Sequence, residues 1–388
     1  MIRPAALALV LFLPATAAAQ APWRSSYFPY PIGNPTDGPM LVARWQRTQN
    51  APYFLSKGDE SDVVNPITFA GAVSVEAGIG TLGSRFGRVE ARLPGLLDGW
   101  RFRVLLGAER TGKLGYYGLG GDIERAAGQD DRNSDFYRVH RTRYLAQADV
   151  TRRITGNLRF ALGAFLDRTE LTRVADASQF VADFGGSVSR TNLILRPALV
   201  FDSRDHEFTP SKGVLAEAGI GVGTARDHPI GQSGKSLYAM GYAQVKGYLS
   251  PREGTVIAGR AAFRLMEDAA PLSARFTVPG WEREFSLSGP DGHRSFPQGS
   301  LAGTDLELVS LEVRHDLLNA GDLGALTVVA FSDLAHVADN AAFFKQSTDL
   351  FGAGGGVALR ILRSAILTLD FAGGKNGFNF SMGTNWAF

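Results

Sequence analysis

The sequence predicts an all-β fold, a 16-stranded antiparallel β-barrel that crosses a membrane. Three observations carry that prediction. Two-residue alternation recurs along the 388-residue chain; one face of each such segment is apolar while the other carries charge; and no internal stretch approaches the ~18–20 consecutive apolar residues that a spanning helix needs. The end of the chain, GFNFSMGTNWAF at 377–388, shows the pattern: Phe378, Phe380, Met382, Thr384, Trp386 and Phe388 alternate with Asn379, Ser381, Gly383, Asn385 and Ala387. Successive side chains of a strand point to opposite faces, so one face is oily and the other polar or small. A soluble sandwich strand gives the same alternation, and strand length and loop asymmetry have to separate the two architectures.

At the N-terminus, Arg3, an apolar run from Ala5 to Leu13 and small residues around Ala17 and Ala19 have the layout of a secretory signal peptide cut near Ala19. Residues 1–19 are therefore expected to direct export, and residues 20–388 to form one barrel domain. With 0 cysteines, disulfides, thiol chemistry and cysteine metal sites are excluded, and closure of the sheet has to hold the fold. Formal charge is nearly balanced, +2 from 40 basic and 38 acidic residues, and no nucleic-acid motif appears, so nucleic acid is not an expected partner. The 46 glycines and 25 phenylalanines, without long runs of 3.6-residue period, fit strands joined by turns.

In order, strands are expected at 26–33, 39–48, 67–80, 85–96, 100–118, 135–152, 157–174, 187–203, 213–225, 236–250, 254–267, 305–317, 324–337, 351–363, 365–373 and 377–388. In the seventh, Leu158, Phe160, Leu162 and Leu166 oppose Arg159 and Asp167; in the eleventh, Ile257, Phe263 and Leu265 oppose Arg260 and Arg264. In the twelfth, Val309, Leu311 and Val313 oppose Glu312 and Arg314. An even strand number puts both chain ends on the same, periplasmic side. Connections 119–134, 175–186, 226–235, 268–304 and 338–350 then lie outside, while ITGN, SPREG, NAGDLG and RS make short inner turns. The long inner connection 49–66 is the exception. On this topology the last strand closes at the inner aromatic girdle, and Phe378, Phe380, Trp386 and Phe388 form the expected C-terminal signal read during insertion.

Two stretches carry more than a wall. Asp202, Arg204, Asp205, Phe208, Pro210 and Gly213 occupy an inner turn, where Asp205 can cap the chain, Pro210 fixes φ and Gly213 supplies a conformation that other residues avoid. The competing reading, an acidic metal or catalytic pair with His206, sits poorly on a short turn that cannot enclose a substrate. The second stretch is the loop 268–304, whose middle, GPDGHRSFPQG, joins glycine turns to an Arg-aromatic-Pro sequence.

The spacing D-x-R-D-x-x-F-x-P-x-x-G at 202–213, the Arg-aromatic loop tip and the E-x-R strand at 312–314 together resemble the bacterial surface antigen barrels. That superfamily contains BamA/TamA-like outer-membrane assembly factors and two-partner secretion translocators; the similarity is strongest over 190–388. The resemblance implies sixteen strands, with the sixth outer loop folded into the lumen and its Arg against acidic residues of the wall. Here that Arg is Arg294, next to Phe296, with Glu312 and Asp333 as its partners. A guanidinium out of water needs such a partner and meets a carboxylate with two parallel hydrogen bonds; the alternative is a solvated loop residue. Two departures stand out: Ser295 replaces the family's Gly after the Arg, and the periplasmic POTRA domains of typical members are expected to be missing. The resemblance further implies residence in the bacterial outer membrane and a role in membrane insertion or transport. Expected partners are outer-membrane lipids including lipopolysaccharide, the barrel assembly machinery for its own insertion, and an unnamed client, with no cofactor and no metal.

Alternation also turns Arg88, Arg92, Arg101, Arg103, Arg159, Arg196, Lys246, Arg260, Arg264 and Arg314 inward. Such a lumen either attracts anions and lipid head groups or is a mutually neutralised wall that holds the loop. A lipase or protease barrel would need a nucleophile and base within reach of each other. The six histidines, His140, His206, His228, His293, His315 and His336, show no such motif. A passive pore or structural barrel is the third reading, and a folded-in loop would narrow it.

Overall fold

The computed structural model describes residues 23–50, 69–120, 127–129, 134–228, 235–281, 283–339, 350–361, 365–374, 377–384 and 386–388. The expected signal peptide, nearly all of the inner connection 49–66, and parts of the outer connections 119–134, 226–235 and 338–350 lie outside the described residues.

The wall runs β1 (Trp23–Asn34), β2 (Gly38–Asn50), β3 (Phe69–Gly80), β4 (Arg85–Leu97), β5 (Trp100–Gly115), β6 (Arg138–Thr155), β7 (Leu158–Arg173) and β8 (Ser187–Asp202). It continues with β9 (Gly213–His228), β10 (Lys235–Arg252) and β11 (Thr255–Met266). After the long outer connection come β14 (Asp305–Asn319), β15 (Gly324–Ala338), β16 (Leu350–Ile361), β17 (Ala365–Gly374) and β18 (Gly377–Gly383). These sixteen strands close into one antiparallel barrel. The short strands β12 (Thr277–Val278) and β13 (Phe285–Ser286) pair with each other inside the long connection, so β11 and β14 are wall neighbours. Each expected strand is present, with its ends shifted by a few residues. The expected loop 175–186 holds a one-turn helix, α1 (Gln179–Phe184), which starts where Ser178 Oγ accepts from the Val181 amide and ends at Gly185 with φ +69°. Among the described residues no helix is long and apolar enough to cross a membrane.

The two faces decide the environment. Outward rows are apolar and exposed, as with Leu162, Leu166, Leu193, Leu195, Ile220, Val309 and Leu311. Inward rows bury Glu76, Asp167, Arg196, Glu217, Arg260, Glu312 and Asp333. This inversion of a soluble core is what lipid outside and a polar lumen inside require. It also pins the register. A one-residue slip of β11 and β14 would turn Arg260, Arg264 and Arg314 to lipid, at about 2–4 kcal/mol each near the bilayer midplane.

Closure is uneven. β1 pairs with β2 along its whole length, Trp23 to Asn34, yet meets β18 at a single registered pair, Gly33↔Met382. The expected last strand 377–388 ends instead at Gly383, and the chain then turns into the barrel. Phe378 and Phe380 face outward and are exposed, whereas Trp386 and Phe388 are buried inside. The four aromatic residues therefore do not share one lipid-facing row; the alternation runs on past the point where the backbone leaves the sheet.

Candidate functional site

The loop between β11 and β14 is buried against the inner wall, and Arg294 is its most deeply engaged cation. Its Nε and Nη2 donate to Asp333 Oδ2 and Oδ1, both at 2.9 Å, and its backbone amide donates to Oδ2 at 3.1 Å. Nη1 donates to Glu312 Oε2 at 2.8 Å, and the guanidinium lies 3.4 Å from the centre of the Phe331 ring. Alternation places Glu312 on the inner face of β14 and Phe331 and Asp333 on that of β15, so the sheet presents two carboxylates and an aromatic floor to one cation. Burial alone would lower the Arg294 pKa; Asp333, then Glu312, overcome that and hold it above the usual arginine range. Arg294, Glu312 and Asp333 are each at most 3% exposed, which makes the site a desolvated fork on Asp333 with a single bond to Glu312 and not a screened surface bridge.

Neighbouring contacts fix the tip. Phe296 is buried among Val278, Leu287, Leu301, Leu306 and Val337. Asn379 of β18 donates through Nδ2 to the Arg294 carbonyl at 2.8 Å and to that of Phe296 at 3.1 Å, tying the loop to the last strand. Sequence reading passed over Asn379 because it is only one polar position in an alternating strand. Ser295 is accommodated by the wall: its Oγ meets His293 Nδ1 at 3.1 Å, and a Cβ on Gly352 would come within 2.5 Å of that oxygen. His293 Nε2 lies 3.0 Å from the Leu350 carbonyl, so it carries the proton and Nδ1 accepts from Ser295. Burial lowers the His293 pKa, against the pull of Asp333.

The C-terminal tail fills the space beneath. Arg314 Nε donates to Glu312 Oε1 at 2.7 Å, its Nη2 donates to the Phe388 carbonyl at 3.0 Å, and its guanidinium stands 4.2 Å from the Trp386 ring centre. Arg260 lies between the rings of Phe285 and Phe388, at 4.8 and 4.7 Å, and donates to the Asp291 carbonyl at 2.7 Å. One hydrogen-bonded and stacked network thus joins loop, tail, β11, β14, β15 and β18.

The inner turn after β8 is a separate unit. Arg204 Nε and Nη2 donate to Asp202 at 2.9 and 3.1 Å, and Arg159 approaches the same carboxylate at 3.8 Å. Asp205 accepts from the Ser211 and Lys212 amides at 2.9 and 3.1 Å; burial would raise its carboxyl, but hydrogen bonds led by Ser211 hold it below the usual range. Pro210 is buried, the Phe208 ring lies 5.9 Å from the Arg92 guanidinium, and Gly213 has φ +99°. Several other inward cations are neutralised locally: Arg88 and Arg44 on Glu76, Arg92 and Arg103 on Glu90, and Arg143 on Asp167 and loop residue Glu284, whereas Arg264 donates to the loop carbonyl oxygens of Ala274 and Gly303.

Barrel, inward loop and ion-paired tip together define a class of protein. The Omp85 superfamily domain matches residues 71–386, and the chain belongs to that family. It is an integral β-barrel of the bacterial outer membrane, of the assembly and translocation type. Among solved structures it is similar to BamA from Haemophilus ducreyi lacking POTRA domains 1–3, with TM-score 0.53, 15% identity, and coverage of 93% of this chain and 70% of that one. It is also similar to CdiB from Escherichia coli, with TM-score 0.56, 12% identity, and coverage of 95% of this chain and 63% of that one. At these identities the likeness is one of fold, and this chain spans under two thirds of the CdiB length. No curated protein matches it significantly.

Proposed function

We propose that this protein acts without catalysis as an assembly or translocation barrel that works by opening the seam between β1 and β18. The observation that carries this reading is the seam itself, registered at Gly33↔Met382 alone while neighbouring strands pair along most of their length. A short ladder is the part of a closed sheet that parts most easily, and here its β18 side is also held from within by the inserted loop and tail. Against catalysis, the His293–Ser295 pair is buried, with the far histidine nitrogen committed to a backbone carbonyl. The reading extends to contacts with outer-membrane lipids including lipopolysaccharide, to the assembly machinery for the barrel's own insertion, and to an exported mature chain beginning near residue 20.

Absence of native cysteine allows a direct test. Gly33→Cys/Met382→Cys would lock the seam when oxidised. In proteoliposomes presented with a urea-unfolded outer-membrane protein, the oxidised form should lose insertion of that client, measured by protease protection, and regain it on reduction. Equal insertion by locked and reduced forms would contradict the mechanism.

A further inference from the structure

The outer wall carries a second feature, unrelated to the lumen. Arg85, Arg110, Arg168 and Arg226 all lie in the outer halves of their strands and are exposed. Register puts them on the lipid-facing side: Arg85 pairs with Arg110, and Arg168 and Arg226 flank Thr191 in one row. None of the four forms an ion pair with a described residue. Glu170 is the carboxylate that faces outward among them. On the opposite wall the corresponding outward row has Glu307 across from His336, so the cations are concentrated on one side.

Directly below Arg85, Arg110 and Arg168 the wall is hollowed. Gly87, Ala108 and Ala146 face outward between Val89, Leu106, Leu166 and Tyr144, and the groove they form holds about 490 Å³, with Arg168 and Thr191 at its edge. Nothing lies within 4 Å of where a Cβ on Gly87 would stand. An apolar trough in the lipid band, topped by guanidinium groups that have no ion-pair partner among the described residues, is complementary to an acyl chain with a phosphate at its head. Arg110 on β5 and Arg168 on β7 are two strand spacings apart, on the order of 10 Å, and Arg226 on β9 lies two spacings further on. A head group with two phosphates spans the step from Arg110 to Arg168, whereas a single-phosphate lipid engages only one side of it.

We infer that the outward face of β4–β9 binds a diphosphorylated glycolipid of the outer leaflet, of the lipopolysaccharide type, with one phosphate on the Arg85/Arg110 pair, the second at Arg168 on its Arg226 side, and one acyl chain in the groove over Gly87, Ala108 and Ala146. This rests on the lipid contact proposed above and locates it.

The purified full-length barrel in detergent would be titrated with diphosphoryl lipid A, monophosphoryl lipid A and phosphatidylglycerol, with bound lipid read by native mass spectrometry. The comparison set is Arg85→Gln/Arg110→Gln, Arg168→Gln/Arg226→Gln and Ala108→Trp, each on the exposed face and away from the luminal network. The site predicts tighter binding of the diphosphoryl form, about a tenfold loss for each arginine double variant toward that form, and loss of binding in Ala108→Trp. Wild type that binds lipid A while all three variants bind equally would overturn the site and leave general lipid contact standing. Wild type that binds no lipid A, or binds phosphatidylglycerol as tightly, would overturn the glycolipid assignment as well.

Discussion

At the residue scale, the energetics turn on what a buried charge loses when its partner goes. Arg294→Ala leaves Asp333 and Glu312 in a dry lumen with one cation fewer, a loss of about 3–5 kcal/mol by the behaviour of buried pairs. It should appear as a lower unfolding temperature of the barrel in gel-shift or circular-dichroism melts. Arg294→Lys should rescue little, because an ammonium cannot reproduce the two-pronged contact. In a double-mutant cycle, Arg294→Ala and Asp333→Asn should couple by about 1–3 kcal/mol, and additive effects would refute the tether. His293 supplies a pH signature. Its folded pKa is lowered, so the docked loop binds fewer protons than the undocked one; docking is complete above the ordinary value of about 6.5 and weakens as pH falls through it. Protease sensitivity of the loop should rise on going from pH 8 to pH 5 in wild type and stay flat in His293→Gln. Arg294 and its partners were legible because the resemblance named an Arg-aromatic tip and an E-x-R strand. Asn379 was not, since nothing local distinguishes a polar wall position from one that grips a loop more than eighty residues away.

At the scale of elements, alternation and turn chemistry recovered the wall strands, because lipid on one side and charge on the other leave a period of two in nearly every strand. The final five residues misled for the same reason: the period continues through Trp386 and Phe388 while the backbone leaves the sheet toward Arg260 and Arg314, contacts made across the barrel. Short pairing at the seam predicts the order of opening. Amide hydrogen exchange should be fastest in β1 and β18 and slowest in β5–β9, where ladders are long; uniform protection around the barrel would count against a weak seam. In the inner turn, Gly213→Ala should destabilise by about 1–3 kcal/mol, because φ is +99° and a Cβ would sit 2.2 Å from the Ser203 carbonyl oxygen.

At the scale of the whole molecule, the barrel is a closed sheet whose interior is occupied by its own chain. Loop 268–304 and the C-terminal tail meet on Arg260, Arg314 and Glu312, and the loop tip is held by β14, β15 and β18 together. Of the inward arginines, Arg88, Arg92, Arg103 and Arg314 are spent on neighbouring carboxylates and Arg260 and Arg264 on loop carbonyls, an arrangement that depends on cross-strand register and is invisible to a count of charges. Planar-bilayer conductance of the refolded protein tests this account most directly, comparing wild type, Arg294→Ala and a variant lacking the loop tip 289–299. Wild type should be silent or flicker briefly, Arg294→Ala should open more often, and removal of the tip should give a sustained current. A steady open current in wild type, unchanged by either alteration, would contradict a barrel closed by its own loop.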